Sequence, residues 1–213
     1  MKPWLLIPAK SFDEAKSRLA GVLSAPQRAA LSAHLLARTL RMANASALFA
    51  RIVVVSRDPA ALALAEAFAA LALSETVPDL NAALRQARLT AEREGADAVL
   101  TLPADLPRLQ AADLHLLAGA RDEPRTVVIA PSRDQGTNAL LLPLPAPFDF
   151  AFGPDSYPIH HVRAASAGCT VRVVCTETLR FDLDSPADLE ELTADAPILV
   201  EALLSALSSE LLH

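Results

Sequence analysis

The stretch "DAVLTLPADLP", residues 97–107, decides how this chain folds. Its "AVLT" core is an apolar run closed by proline, short enough for a strand and too short for a helix. An apolar run without alternation marks a strand covered on both faces, as in a parallel sheet flanked by helices. Asp105 follows just beyond the end of the run, between Pro103 and Pro107. Two readings compete for it. Aspartate commonly closes turns by bonding to nearby backbone. At the lip of an α/β sheet it is also a hard oxygen ligand for a cation such as Mg²⁺.

Outward from this stretch, "WLLIPA" (4–9), "RIVVVS" (51–56), "RTVVIAP" (125–131), "TNALLLPL" (137–144) and "TVRVVC" (170–175) read as further strands. Helical patterns separate them. "APQRAALSAHLLARTLRMANAS" (25–46) follows Ser24 as N-cap, with Pro26 in its first turn. "DPAALALAEAFAAL" (58–71), "DLNAALRQARLTAEREG" (79–95), "AADLHLLAGA" (111–120) and "PIHHVRAASAG" (158–168) are helices too, as are "PADLEEL" (186–192) and "PILVEALLSALSSELL" (197–212) in the tail. Strands alternating with helices predict an α/β fold, a mostly parallel central sheet with helices on both faces. Ligands of such sheets bind outside the C-terminal strand ends, where the strand order reverses. Pro8-Ala9-Lys10, Ser56, Asp105 and Arg133-Asp134 should therefore share one rim. No repeat, linker or break in composition divides the chain, so a single domain is expected across 1–213.

Bulk composition narrows the function. The 213 residues carry a net charge of −6, which argues against bulk nucleic-acid binding. No apolar run reaches the roughly 18 residues of a membrane span. The first apolar stretch is too short and too soon interrupted for a signal peptide. Two cysteines, Cys169 and Cys175, form neither a disulfide framework nor a metal motif, and a cytoplasmic setting is the expectation. Cations gather early, at Lys2, Lys10, Lys16, Arg18 and Arg28. Acids gather late, from Asp182 to Asp195.

Five places carry candidate chemistry. "PAKSFDEAKSRLAG" (8–21) has no glycine before Gly21, so neither a phosphate loop nor a dinucleotide fingerprint fits. Lys10, Lys16 and Arg18 are instead spaced to surround a phosphate chain with charge, or else to sit as surface cations. Asp105 is the second place. In "RFDLDSPADL" (180–189), Asp182 and Asp184 lie two apart and share one side of an extended segment. Two carboxylates so placed repel unless a cation sits between them, and with a distant third acid they make a plausible Mg²⁺ cage. In "RDQGTNALL" (133–141), Gly136 permits a tight turn ahead of Thr137 and Asn138. In "FGPDSYPIHH" (152–161), Ser156 precedes a proline-initiated helix whose free N–H groups would form an anion site, or Ser156 is an ordinary cap. Adjacent His160 and His161 face different ways on a helix and are no metal pair.

Taken together, "PAKSFDEAKSRL" (8–19), "LNAAL" (80–84), "LPADLP", "APSRDQGTNALLL" (130–142), "FGPDSYPIH" and "DLDSPADL" resemble, in that order, the 2-phospho-L-lactate guanylyltransferase family of deazaflavin coenzyme biosynthesis. That family includes members acting on phosphoenolpyruvate or 3-phosphoglycerate. The resemblance runs from about residue 3 to 190. It implies a Rossmann-like nucleotidyltransferase fold, GTP as donor, Mg²⁺ as metal and a small phosphorylated acid as acceptor. It assigns Asp105, Asp182 and Asp184 to the metal, and Lys10, Lys16 and Arg18 to the triphosphate. Asn81 goes to the base side of GTP, and Thr137, Gly153 and Ser156 to the acceptor. Gln135 and Asp155 stand where glycine is common in the family, and Asp79 often has glycine in its place. Single pieces such as "LPADLP" recur in molybdenum-cofactor and sugar-phosphate nucleotidyltransferases, which are the alternative enzymes. A nucleotide-binding regulator without turnover is the alternative of another class. The apolar tail helix could pack on its own sheet or on a second copy of the chain.

Overall fold

The computed structural model describes residues 2–205. The elements run in the order β1 (Trp4–Pro8), α1 (Ala25–Ser46), β2 (Arg51–Ser56), α2 (Pro59–Ala67), β3 (Leu71–Ser74), α3 (Leu80–Arg93), β4 (Ala98–Thr101) and α4 (Ala111–Gly119). Then follow β5 (Thr126–Pro131), β6 (Thr137–Pro143), α5 (Ser156–Ser166), β7 (Thr170–Val173), α6 (Glu177–Arg180), α7 (Pro186–Asp195) and α8 (Pro197–Ser205). A short 3₁₀ turn, Ser17–Leu19, lies between β1 and α1. The expected part of the tail helix past residue 205 lies outside the described residues.

The seven strands form one sheet in the order β3-β2-β1-β4-β6-β5-β7. Only β6 runs antiparallel to its neighbours, β4 and β5. The other pairings are parallel. The "AVLT" run of β4 is buried throughout, as a strand covered on both faces must be. Alternate side chains of β1 go to opposite layers: Leu5 and Ile7 join the core under α1, α2 and α4, while Trp4 and Leu6 join the core under α3 and α5. A third cluster packs α1 against Phe181, Leu183, α7 and α8.

Local chemistry explains most element boundaries. Ser24 accepts from the Gln27 amide, and the Gln27 side chain accepts from the Ser24 amide, which closes a capping box at the start of α1. Asp58 caps α2 and Asp79 caps α3. The sequence reading of "DPAALALAEAFAAL" as one helix needs correction. The helix stops at Ala67, Ala69 turns into the left-handed region at φ 55°, and Leu71 opens an edge strand. Alanine-rich composition favours helix locally, but pairing of Leu71–Ser74 with β2 overrides it. The short α6 also escaped the sequence reading.

The chain leaves β1 for β2 and β3 on one side and then returns to β4 on the other. The reversal of order therefore lies between β1 and β4. The loops after those strands carry Lys10 and Lys16 on one side and Asp105 on the other.

Candidate active site

Two hollows meet at this reversal. The larger, about 470 Å³, is lined among others by Lys10, Lys16, Arg57, Glu75, Asp105 and Asp184. The smaller, about 200 Å³, is lined among others by Ser132, Asp134, Thr137, Gly153, Ser156 and Asp182. Asp105, Pro8, Leu80 and Pro103 belong to both. Another hollow of about 460 Å³ opens at the N-terminal ends of β2 and β3, around Ala47, Ala50 and Ala69, and holds none of these residues.

The acids come together from distant parts of the chain because backbone bonds tie their segments. Leu183 N donates to Asp105 O at 3.1 Å, pinning residues 181–184 to the loop after β4. Phe181 and Leu183 are buried, so the alternate residues Asp182 and Asp184 turn toward the rim. Asp184 then faces the larger hollow and Asp182 the smaller, with Asp105 between them.

Lys16 sits where the sequence reading expected a metal. Its Nζ donates to Asp105 Oδ2 and to Asp184 Oδ1, both at 2.9 Å. Its backbone is left-handed, with φ 54°. That conformation is costly for a side chain with a β-carbon and persists only where the surroundings hold it. Burial disfavours the ammonium, but Asp105 and Asp184 outweigh it and its pKa is raised. Asp184 is raised by burial but lowered further by Lys16, with Arg18 and Lys10 adding to that, so its pKa falls on balance. Asp182 goes the other way, up to about 6, through burial and then the charges of Asp105 and Asp184. No side chain among the described residues donates a hydrogen bond to it.

Other expectations fare unequally. Lys10 lines the larger hollow; Arg18 is exposed on the 3₁₀ turn and does not. Asn81 is a correction. Its amide donates to Phe152 O at 3.0 Å and accepts from Phe152 N at 2.7 Å, so both ends bond to the loop between β6 and α5 and tie α3 to it. It lines neither hollow. Arg57 and Glu75, after β2 and β3, stand in the larger hollow instead. The sequence reading overlooked both, although each follows a strand; β3 was unrecognised, so Glu75 had no rim to belong to.

The start of α5 also differs from expectation. Ser156 N donates to Gly153 O, Tyr157 N donates to Gln135 O, and Pro158 has no N–H. The first amides are thus used within the protein rather than offered to an anion. Asp155 is exposed, makes no cap bond and lines neither hollow. Ser156 is no cap either: its hydroxyl donates to Thr137 Oγ1 at 3.1 Å. The small hollow is thus lined by hydroxyls beside the carboxylates of Asp105, Asp134 and Asp182. Gly153 adopts φ 146°, a region suited to glycine. A β-carbon on Gly136 would come within 2.7 Å of Ser132 Oγ, so glycine there serves close approach. Gln135 holds φ 66°, a left-handed position that glycine would adopt at less cost.

Among the described residues, no group of three or more His, Cys, Asp or Glu side chains is gathered as a metal site. The physical reason is visible: Lys16 occupies the space between two of the three acids. The donor set still suits a hard cation. Three carboxylates and one ammonium leave two negative charges, and Asp182, raised by burial first, is raised further by Asp105 and Asp184. Mg²⁺ is commonly held by one or two carboxylates plus substrate phosphates rather than by a closed protein cage.

The profile of the family described as "Guanylyl transferase CofC like" matches residues 3–196. The chain belongs to this family. It is an enzyme, a guanylyltransferase of the deazaflavin coenzyme pathway. It is 41% identical to a phosphoenolpyruvate guanylyltransferase of Rubrobacter xylanophilus, over 93% of this chain and 97% of that one. A protein of the same name from Sphaerobacter thermophilus is 39% identical over 91% and 93%. Among solved structures, a chain from Desulfovibrio desulfuricans assigned as a nucleotide-diphospho-sugar transferase superposes with TM-score 0.75 at 18% identity, covering 98% of this chain and 96% of that one. A nucleotidyl transferase from Methanothermobacter gives 0.61 at 16% identity, covering 91% and 97%. These two likenesses show the shared nucleotidyltransferase fold. Guanylyltransferases take a nucleotide and a small phosphorylated substrate and typically work with a divalent metal. Among the described residues, no helix is long and apolar enough to cross a membrane.

Proposed function

We propose that this guanylyltransferase transfers GMP from GTP to phosphoenolpyruvate, with Mg²⁺ and release of pyrophosphate. The observation that carries the reading is the position of Asp105 at the junction of two hollows, one large and bearing Lys10, Lys16 and Arg57 among its acids, the other small and bearing the hydroxyls of Ser132, Thr137 and Ser156 beside Asp134 and Asp182. A triphosphate suits the first, with Lys10 and Lys16 as its counter-charges and Arg18 adding to the field from outside. A three-carbon phosphorylated acid suits the second, near Thr137, Gly153 and Ser156. The name shared by the relatives from Rubrobacter and Sphaerobacter supports phosphoenolpyruvate over the other acids.

The acceptor's phosphate oxygen forms a new bond to the α-phosphorus of GTP, and the bond from that phosphorus to the bridging oxygen of pyrophosphate breaks. A phosphate monoester is mostly ionised at neutral pH, since its second pKa is about 6. No general base is required, and the protein's task is positioning and charge neutralisation. Asp105 and Asp182 would hold Mg²⁺ together with phosphate oxygens, and Asp184 would keep Lys16 oriented. The metal supplies charge neutralisation at the phosphates. Lys16 and Lys10 stabilise the leaving pyrophosphate. With the Asn81 amide engaged elsewhere, Glu75 is the group lining the larger hollow that suits guanine. Its carboxylate offers two acceptors for the adjacent N1–H and N2–H donors. The two free cysteines and the water-soluble substrates support a cytoplasmic setting.

Incubation with GTP, Mg²⁺ and an equimolar mixture of phosphoenolpyruvate, 2-phospho-L-lactate and 3-phosphoglycerate tests this, with products read by mass spectrometry. The guanylylated phosphoenolpyruvate should dominate. Dominance of another acid would overturn the choice of acceptor. Pyrophosphate release with none of them would overturn the acceptor class.

A further inference from the structure

His160 is fully buried beneath the smaller hollow, and neither the sequence motifs nor the proposed chemistry gives it a task. Its two ring nitrogens have different partners. Ala151 N–H donates to Nε2 at 3.0 Å. A backbone amide can only donate, so Nε2 must be the bare nitrogen. In the neutral ring Nδ1 then carries the proton. Nδ1 lies 3.0 Å from Thr137 Oγ1, so it donates to that hydroxyl. Burial, and secondarily Arg163, lowers the His160 pKa to about 4, which keeps the ring neutral at physiological pH. Phe152 packs edge-on at 5.0 Å between centroids and holds the ring in place.

A count of protons gives the consequence. Thr137 and Ser156 together own two hydroxyl protons. One is spent on the bond between them. Were Nδ1 an acceptor, it would consume the other. Because Nδ1 donates, one hydroxyl proton is left over, and both hydroxyls line the small hollow. We propose that His160 is a positioning residue: its Nδ1–H tautomer, locked by the Ala151 amide, leaves the Thr137–Ser156 pair with one hydroxyl proton aimed at an anionic oxygen of the acceptor acid. This rests on the reading of the small hollow as the acceptor site. His160 touches no substrate and acts through Thr137.

The tautomer is read directly in the wild-type protein by ¹⁵N NMR of labelled histidine. The Nδ1–H pattern is expected, and the Nε2–H pattern would overturn the proposal whatever the variants do. Steady-state kinetics then separate causes. His160→Gln keeps an acceptor for Ala151 N–H but loses the donor to Thr137. It should raise the acceptor KM about tenfold, with the GTP KM and kcat within about twofold of wild type. His160→Asn can donate from the position of Nδ1 and should restore the acceptor KM to within about threefold. A merely structural role predicts the reverse, with Gln tolerated at least as well as Asn and both KM values moving together. Thr137→Val separates the two levels of argument. If it raises the acceptor KM while His160→Gln does not, the role of His160 fails and the acceptor site stands. If neither raises it, both fail.

Discussion

The two hollows meet at Asp105 and both carry acids, yet they differ in what accompanies those acids: cations in the larger, hydroxyls in the smaller. The larger works with net charge. Lys16 is clamped between Asp105 and Asp184, and it holds the Asp184 pKa down against the effect of burial. The smaller sets a neutral network beside its carboxylates, Asp105, Asp134 and Asp182. Thr137, Ser156 and His160 form a buried chain of hydrogen bonds in which burial holds the imidazole uncharged. The contrast fits their tasks. A triphosphate and its metal bring charge that must be balanced, and a charged wall does this at long range. A small acid must be told apart from others by shape and donor placement, and a rigid neutral network does that at short range.

Asp105→Asn tests the charged side most severely. Turnover should fall about 1,000-fold or more, while the melting temperature moves only a few degrees, since Asp105 lies at the rim rather than in the core. An active, Mg²⁺-responsive variant would break the reading of that wall. The neutral side makes its own demand on pH. The folded pKa of His160 lies below its unfolded value, so the unfolded chain binds the extra proton first. Stability from the neutral ring is present above about pH 6.5 and is lost as pH falls toward 4, up to about 3 kcal/mol. Asp182 titrates in an overlapping range with the opposite sign. Chemical unfolding of wild type against His160→Asn, which does not titrate, isolates the histidine as a difference between two curves.

Lys16→Ala comes next. It removes one cation that serves two acids, and turnover should fall about 100-fold. Part of the effect is structural, because Asp105 and Asp184 are left facing each other. Both remain partly solvated, so the stability loss should stay near 1–2 kcal/mol. Equal GTP kinetics in the variant would contradict the role. The smallest effect belongs to Gln135→Gly beside the small hollow. It relieves the left-handed φ of 66° and should stabilise by about 0.5–1 kcal/mol, read as a slightly higher melting temperature.

Much of this was legible before any coordinates. The buried runs of β1, β2, β4, β5 and β6 read as strands because continuous apolar residues bounded by proline or polar residues admit few alternatives. Ser24 announced its helix because a cap must lie beside the amides it satisfies. What failed has a common cause. The helix across residues 58–71 was drawn too long because alanine and leucine carry a helical preference that a neighbouring strand can outbid. Asn81 was placed at the base because its motif suggested so, whereas its amide fits the Phe152 backbone. The amides at the start of α5 look free in the sequence because their acceptors, Gly153 O and Gln135 O, lie on two loops whose paths only the fold reveals.

Local order, then, was determined by the sequence itself: which segments are strands, where helices begin, and that acids and cations must meet on one rim. These follow from short-range rules of periodicity, capping and chirality. The tertiary structure alone decided who faces whom. Lys16 lies 89 positions from Asp105 and 168 from Asp184. His160 reaches Thr137 across a separation of 23. Such contacts depend on the order of strands and the path of loops, and no local pattern encodes the direction of a single proton between two hydroxyls.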